Sequence, residues 1–400
     1  MPLDVEQEHY KVRVRGTPFH ERTAALNLNN DWQRWAGYTV PNSYFNSELE
    51  YFAIRNAATL YDVSPMIKYR ISGAEAEAYC NRLVTRDVAK LKPGRVAYVV
   101  WCNDAGHALD DGTLFRLGES EFRLCCQERH LDWLLDCALG FDVAVEEVTW
   151  DIAGLALQGP ASCALLRRCG LEGLEQLKPF DVRDFDLDGQ KLSISRTGFT
   201  GDLGYELWMA PEAALPVWDR LFEAGTLHGL RPAGSAALDL ARIEAGFILP
   251  TVDFVPADQA LRHTRGRSPF ELGLEWLVDF GKGHFNGRRA LLDEKKKGSQ
   301  YCLVGLDIQG NKAAPHALIY HGQNVEVGQI TSAMWSPTCK KNIALASFRR
   351  PYGDSIRTDL WVEIYVLKEL KWDKLMVRCK VVDRPFFAPE RRRATPPGDF

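Results

Sequence analysis

Residues 96–112 limit the fold more than any other stretch of this chain; they read Val-Ala-Tyr-Val-Val-Trp-Cys-Asn-Asp-Ala-Gly-His-Ala-Leu-Asp-Asp-Gly. An apolar, β-branched run ends at Asn103-Asp104-Ala105-Gly106, where Asp and Gly supply the side-chain hydrogen bond and backbone freedom that a hairpin needs. So tight a turn forces an antiparallel return, predicted over 113–117, with a third strand at 121–125. Residues 67–71 alternate with period two and stop at Gly73. Apolar residues recur at helical spacing over 74–83, 211–224 and 236–246. Hairpin-built sheets mixed with helices predict an α+β chain, not a doubly wound parallel sheet.

The return strand carries two consecutive aspartates, Asp110 and Asp111. Successive strand residues face opposite ways, so one carboxylate points inward. Beside aromatic walls it could hydrogen-bond a nitrogen heterocycle; the plainer alternative is that both cap the turn. A second cluster, residues 195–207, places Gly198, Gly201 and Gly204 around a turn, which lets backbone approach a ligand or bend sharply. It lacks G-K-[ST] and G-x-G-x-x-G, so it is no phosphate loop. Glu206 follows it in a strand, and if buried could pair with the N–H groups of a pterin-like ring. The third cluster, Arg242 to Phe247, closes a helix at Gly246.

At 400 residues the chain exceeds the ~150-residue mode of one domain, so two or three packed domains are expected. Its net charge of −4 gives no global attraction to nucleic acid or an anionic membrane. The basic runs at Lys295 to Lys297 and Arg391 to Arg393 read as solvated face or tail. The N-terminal residues Met1 to Glu6 have no signal-peptide pattern, and no apolar run reaches the ~18 residues of a membrane helix. None of the ten cysteines forms a C-x-x-C pair, so reduced thiols, a cytoplasmic location and no metal are expected. Residues 294–300 read as a surface linker. Short strands at 301–308, 317–320, 329–332, 343–348, 360–366 and 375–382 then have the rhythm of a small antiparallel barrel.

At this point several segments resemble the glycine-cleavage aminomethyltransferase (T-protein) family and its folate-dependent demethylase members. Ala36-Gly37-Tyr38-Thr39-Val40-Pro41 is similar to A-G-W-x-M-P, and residues 60–66 to M-F-D-V-S-H-M. Residues 103–111 are similar to C-N-E-x-G-G-x-x-D-D, and 156–160 to x-x-Q-G-P. Residues 196–207 follow R-T-G-Y-T-G-E-x-G-Y-E-L, and 331–338 follow T-S-G-x-x-S-P-T. The matches come in order over residues 30–388.

The resemblance implies a disc-like three-domain fold with a C-terminal antiparallel β-barrel and tetrahydrofolate in a central hole. The division it implies is 1–50 plus 145–290 and 51–144 as two α+β domains, 291–390 as barrel and 391–400 as tail. Asp111 takes the place of the family's key carboxylate, orienting folate and assisting one-carbon transfer to N5. Tyr98, Phe199, Glu206 and Arg242 fall at cofactor positions; Phe199 stands where the family usually has tyrosine. Tyr38, Trp101, His107 and Trp335 are candidates to bind a cationic or flat donor, with core packing the alternative for the tryptophans.

Departures from the family pattern bear on the substrate. Pro65 replaces a histidine, and Leu238 stands where the T-protein has arginine, a group with no isosteric substitute. These changes favour methyl transfer from a small donor (sulfonium, N-methyl amine or aryl methyl ether) over aminomethyl transfer from a lipoyl carrier protein. The alternatives are a T-protein-like aminomethyltransferase giving 5,10-methylenetetrahydrofolate and a folate-binding protein without activity.

Overall fold

A computed structural model describes residues 15–354 and 356–396; the Met1 to Glu6 segment lies outside them. Four β assemblies organise the described chain: a three-stranded sheet, a six-stranded sheet, a five-stranded sheet and a closed six-stranded barrel.

The predicted hairpin exists. Arg95–Cys102 pairs antiparallel with Ala108–Arg116, which pairs with Glu121–Cys126; Ile67–Ser72 and Ala144–Glu147 complete the five-stranded sheet. Period-two alternation divides its residues between two environments. Ile67, Tyr69, Val99, Trp101, Leu114 and Leu124 are buried in one core with the helices Ala76–Leu83 and Leu131–Ala138. Val96, Phe115 and Cys125 point the other way.

The six-stranded sheet runs Val182–Leu187, Gln190–Ser195, Gly204–Met209, Ala153–Gln158, Ala58–Asp62, Leu230–Pro232, parallel only at its last pair. Leu155, Leu157, Tyr205 and Leu207 pack with residues of the helices Ser162–Arg168 and Ala214–Gly225. Its opposite face contributes Tyr61, Ala156 and Trp208 to the same cluster as Val96, Phe115 and Cys125. The two sheets therefore face one another, and Phe115 meets Trp208 edge to face at 5.9 Å.

The barrel, Tyr301–Ile308 to Lys371–Val382, encloses its own core of Leu306, Ile330, Ala344, Phe348 and Val362. Each strand expected there is present.

Two expectations are corrected. Residues 294–297, read as linker, are the last turn of the helix Arg288–Lys297, whose buried Leu291 anchors it. Lysines at a helix C-terminus meet the negative end of its dipole. Within the segment 51–62, Ala58–Asp62 is an interior strand of the six-stranded sheet and does not pair with the five-stranded one. Arg391 is no solvated tail residue. Its guanidinium bonds Asp202 at 2.6 and 2.8 Å and the Arg55 carbonyl at 3.0 Å, tying the chain end onto the core.

Candidate active site

Asp110 and Asp111 divide the two roles weighed for them. Asp110 lies opposite Trp101 and is fully buried on the helix side, accepting from the backbone N–H of Asp111 (2.7 Å) and Glu128 (3.0 Å). Asp111 lies opposite Val100 and faces the cleft. Tyr98, on the same face, donates its hydroxyl to Asp111 Oδ2 at 2.6 Å. Asp111 Oδ1 is shut off from solvent and has no partner. Burial and the neighbouring Asp110 charge raise the Asp111 carboxyl well above the usual carboxylate range, against the Tyr98 hydrogen bond. It therefore holds a proton more readily than an ordinary carboxylate does.

Glycine matters at one point here. A Cβ on Gly112 would lie 2.2 Å from the Cys125 carbonyl oxygen, so only glycine lets the third strand pair beside Asp111.

On the facing sheet, Glu206 is buried and accepts from Thr197 Oγ1 at 2.6 Å. Thr197 is held in turn by Ser195, which also receives the Trp208 indole N–H at 3.4 Å. Burial raises the Glu206 carboxyl, opposed by Thr197 and Arg123. The glycine-rich loop closes on the protein itself: Cβ atoms on Gly198 or Gly204 would meet the Gln158 amide at 2.1–2.6 Å. That amide bonds the Thr197 and Tyr205 carbonyls and the Thr200 hydroxyl, which positions Glu206. Phe199, half-buried in this loop, stacks on Phe247 at 5.4 Å.

Sequence reasoning missed two buried cations of the cleft. Arg123 lies over Phe115 (4.4 Å) and Trp208 (4.7 Å), and its Nε and Nη2 have no partner. Burial lowers its pKa, with Cys125 and Glu206 opposing. Lys68 gives its ammonium to the Ser64 and Met66 carbonyls at 2.8 Å each, and burial lowers its pKa to about 8. Lys68 stands opposite Cys125 in the ladder, the one hint being its even spacing with the apolar face reversed.

The other candidates lie elsewhere. Trp101 is fully buried in the helix-side core, edge-on to His130, on the opposite face of its strand from Tyr98. Arg242 is spent internally: it bonds Asp239, Asp253, the Phe247 carbonyl and Ser332, joining its helix to the barrel. Tyr38 is buried against Trp150 at 4.6 Å. His107 is half-buried at the hairpin end, packed under Gly266, and Trp335 is 42% exposed on a barrel strand. Tyr98 and Asp111 are thus in contact on one sheet, while Glu206 lies on the sheet that faces it, with Phe199 in the loop that carries Glu206. Among the described residues, no group of three His, Cys, Asp or Glu side chains could hold a metal ion, and no helix is long and apolar enough to cross a membrane.

A family model described as the GCVT N-terminal domain matches residues 19–282, and one described as the glycine cleavage T-protein C-terminal barrel domain matches 302–388. The chain belongs to the glycine-cleavage T-protein family. It is 35% identical over 324 residues to an aminomethyltransferase of Caldanaerobacter subterraneus subsp. tengcongensis, covering 80% of this chain and 84% of that protein. An aminomethyltransferase of Thermotoga neapolitana is 33% identical over 387 residues, covering 95% and 99%. A trimethylamine-oxide aldolase of Ruegeria pomeroyi is 36% identical over 348 residues, covering 83% of this chain and 43% of the relative. The crystal structure of glycine cleavage system aminomethyltransferase T from Bartonella henselae superposes with a TM-score of 0.81 at 25% identity, over 94% of this chain and 99% of that one. This T-protein fold places the barrel behind the helix that carries Arg242, whose bond to Ser332 at 2.8 Å fixes it there.

Proposed function

We propose that this T-protein family member is a one-carbon transferase that moves a methyl group from a small methylated donor to tetrahydrofolate. The single observation that carries the reading is Asp111 Oδ1: a buried, proton-avid carboxylate oxygen without a partner, facing a cleft between two sheets. The cleft also offers unpartnered N–H groups on Arg123 and a buried carboxylate on Glu206. Orphaned donors and buried acceptors of this kind fit a heterocycle bearing both ring N–H groups and a carbonyl.

Tetrahydrofolate, when bound, supplies N5 as the nucleophile. Glu206 would hold the N–H edge of its ring, and Tyr98 keeps Asp111 oriented through Oδ2. Asp111 Oδ1 would stay free to take the N5 proton as the donor's methyl–heteroatom bond breaks, its electron pair leaving with the demethylated product. Fixed charge and orientation, rather than covalent catalysis, do this work.

A methyl donor is preferred to a lipoyl-bound aminomethyl group because of Leu238. It is half-buried against the Tyr61, Trp208 and Phe115 cluster, so an apolar side chain stands where a family arginine would bind an anion. Sulfonium compounds, N-methyl amines and aryl methyl ethers are the donor classes.

The test is to incubate the protein with tetrahydrofolate and a panel of these donors, following folate products by mass spectrometry. 5-Methyltetrahydrofolate formed without a lipoylated carrier is expected. 5,10-Methylenetetrahydrofolate formed only with such a carrier would overturn the reading in favour of aminomethyl transfer.

A further inference from the structure

His130 begins the helix Leu131–Ala138, yet only 4% of it is exposed. Its Nε2 lies 3.3 Å from Asp110 Oδ2 and its Nδ1 3.5 Å from Asp258 Oδ2. Tyr69 accepts its backbone N–H at 2.8 Å, and Trp101 meets the ring edge-on at 5.7 Å. A carboxylate at each ring nitrogen makes both nitrogens donors, which is the imidazolium form. Burial alone would lower the His130 pKa, but the two carboxylates overcome it and raise it to about 9.

Asp110 accepts from three N–H groups: His130, Glu128 and Asp111. Three donors on one buried carboxyl work against burial, which remains the larger influence and leaves the Asp110 pKa raised. Asp110 reaches the Asp111 backbone rather than its carboxyl, so no proton wire joins them. What passes between them is charge and orientation.

We propose that His130, clamped between Asp110 and Asp258, is a positioning residue for the transfer step: it opposes the protonation of Asp110 that burial favours, and Asp110 fixes the Asp111 backbone while making Asp111 a stronger base. This rests on reading Asp111 as the transfer carboxylate. The titratable groups facing His130 are Asp110 from its strand, Asp258 from a loop, Tyr69 from the strand Ile67–Ser72 and Glu128 on its own turn. Those facing Asp111 are Tyr98, Asp110 and, from the 249–254 loop, Asp253.

The test uses the full chain as wild type, His130→Gln and Asp258→Asn, and needs no methyl donor. Imidazole nitrogen NMR between pH 5 and 10 reads the ring's charge, and tryptophan fluorescence reads the pH dependence of tetrahydrofolate affinity. One imidazole protonated on both nitrogens at pH 8 is expected in the wild type and absent from His130→Gln. The midpoint of the affinity profile should fall by about one pH unit in His130→Gln, and by a smaller step in Asp258→Asn, whose half-exposed side chain leaves folding intact. A neutral His130 at pH 8, or unchanged midpoints with affinity retained, would overturn the proposal. Failure of the wild type to bind tetrahydrofolate would instead defeat the folate reading, and the imidazole signal would still decide whether the clamp holds the charge.

Discussion

Tyr98 donates its hydroxyl to one oxygen of Asp111 at 2.6 Å and leaves the other buried without a partner. The tyrosine thus orients the carboxylate and stabilises its charge while keeping its reactive oxygen free. Burial and Asp110 work the other way, so the ionised form of Asp111 is costly in the folded chain.

That cost predicts opposite effects of Asp111→Asn on activity and stability. Turnover should fall at least about tenfold, because the amide cannot take a proton. The sign for stability follows from a pKa raised from 3.8 to about 8: folding binds the proton more tightly, so the wild type loses stability as pH climbs between these values. Wild type and variant should melt alike near pH 4, and the variant about 1–4 °C higher above pH 8. Thermal melts at the two pH values check it, and equal melting throughout would remove the strain from the account.

Glu206→Gln tests the facing sheet. An amide keeps the Thr197 contact but loses the charge that strengthens hydrogen bonds from ring N–H groups. Such bonds are worth about 1.5–3 kcal/mol, so tetrahydrofolate affinity should drop about 10- to 100-fold by calorimetry, with the melting temperature held. An unchanged affinity would take Glu206 out of the folate site.

How much of this was readable in the sequence depended on distance along the chain. The hairpin and the barrel strands were legible because turn chemistry and period-two alternation are local signals. Which aspartate points inward came only from the family resemblance, since the residues alone do not give the register that sets Asp111 against Val100 and Asp110 against Trp101. Lys68 and Arg123 drew no reading at all, because the Trp208 ring that meets them belongs to a sheet from elsewhere in the chain. Arg391 looked like a tail because its partner, Asp202, lies 189 positions earlier. Aromatic residues near the motifs misled for the same reason: Trp101 and Tyr38 serve cores rather than the cleft.

Gly112→Ala should damage the site through the backbone alone. Its methyl would meet the Cys125 carbonyl at 2.2 Å, and main chain cannot swing aside as a side chain can. Prying the Ala108–Arg116 and Glu121–Cys126 strands apart should cost about 1–3 kcal/mol in urea unfolding and lower turnover by displacing Asp111. Wild-type stability and turnover would show that the strands have slack.

The last prediction concerns the ion network that seats the chain's end. Arg55, with 3% of its side chain exposed, bonds Glu244 through Nε (3.0 Å) and Nη2 (2.8 Å), and Asp202 through Nη1 (3.3 Å). Both carboxylates are completely buried. Glu244 also accepts from Tyr51 and Ser336, and its backbone carbonyl takes the N–H groups of Phe386 and Phe387. One guanidinium therefore joins the helix Ser235–Glu244, the glycine-rich loop, the barrel and the segment leading to Arg391. Arg55→Met keeps much of the volume but strands the buried Glu244 carboxylate without a cation, while Asp202 keeps its bonds to Arg391. Breaking such a pair costs about 3–5 kcal/mol, whereas removing charge from both sides costs far less. Arg55→Met should thus lower stability in urea by about that amount, and adding Glu244→Gln to it should recover part of the loss. A single variant as stable as the wild type, or a double variant worse than additive, would show that the network contributes packing and not charge compensation.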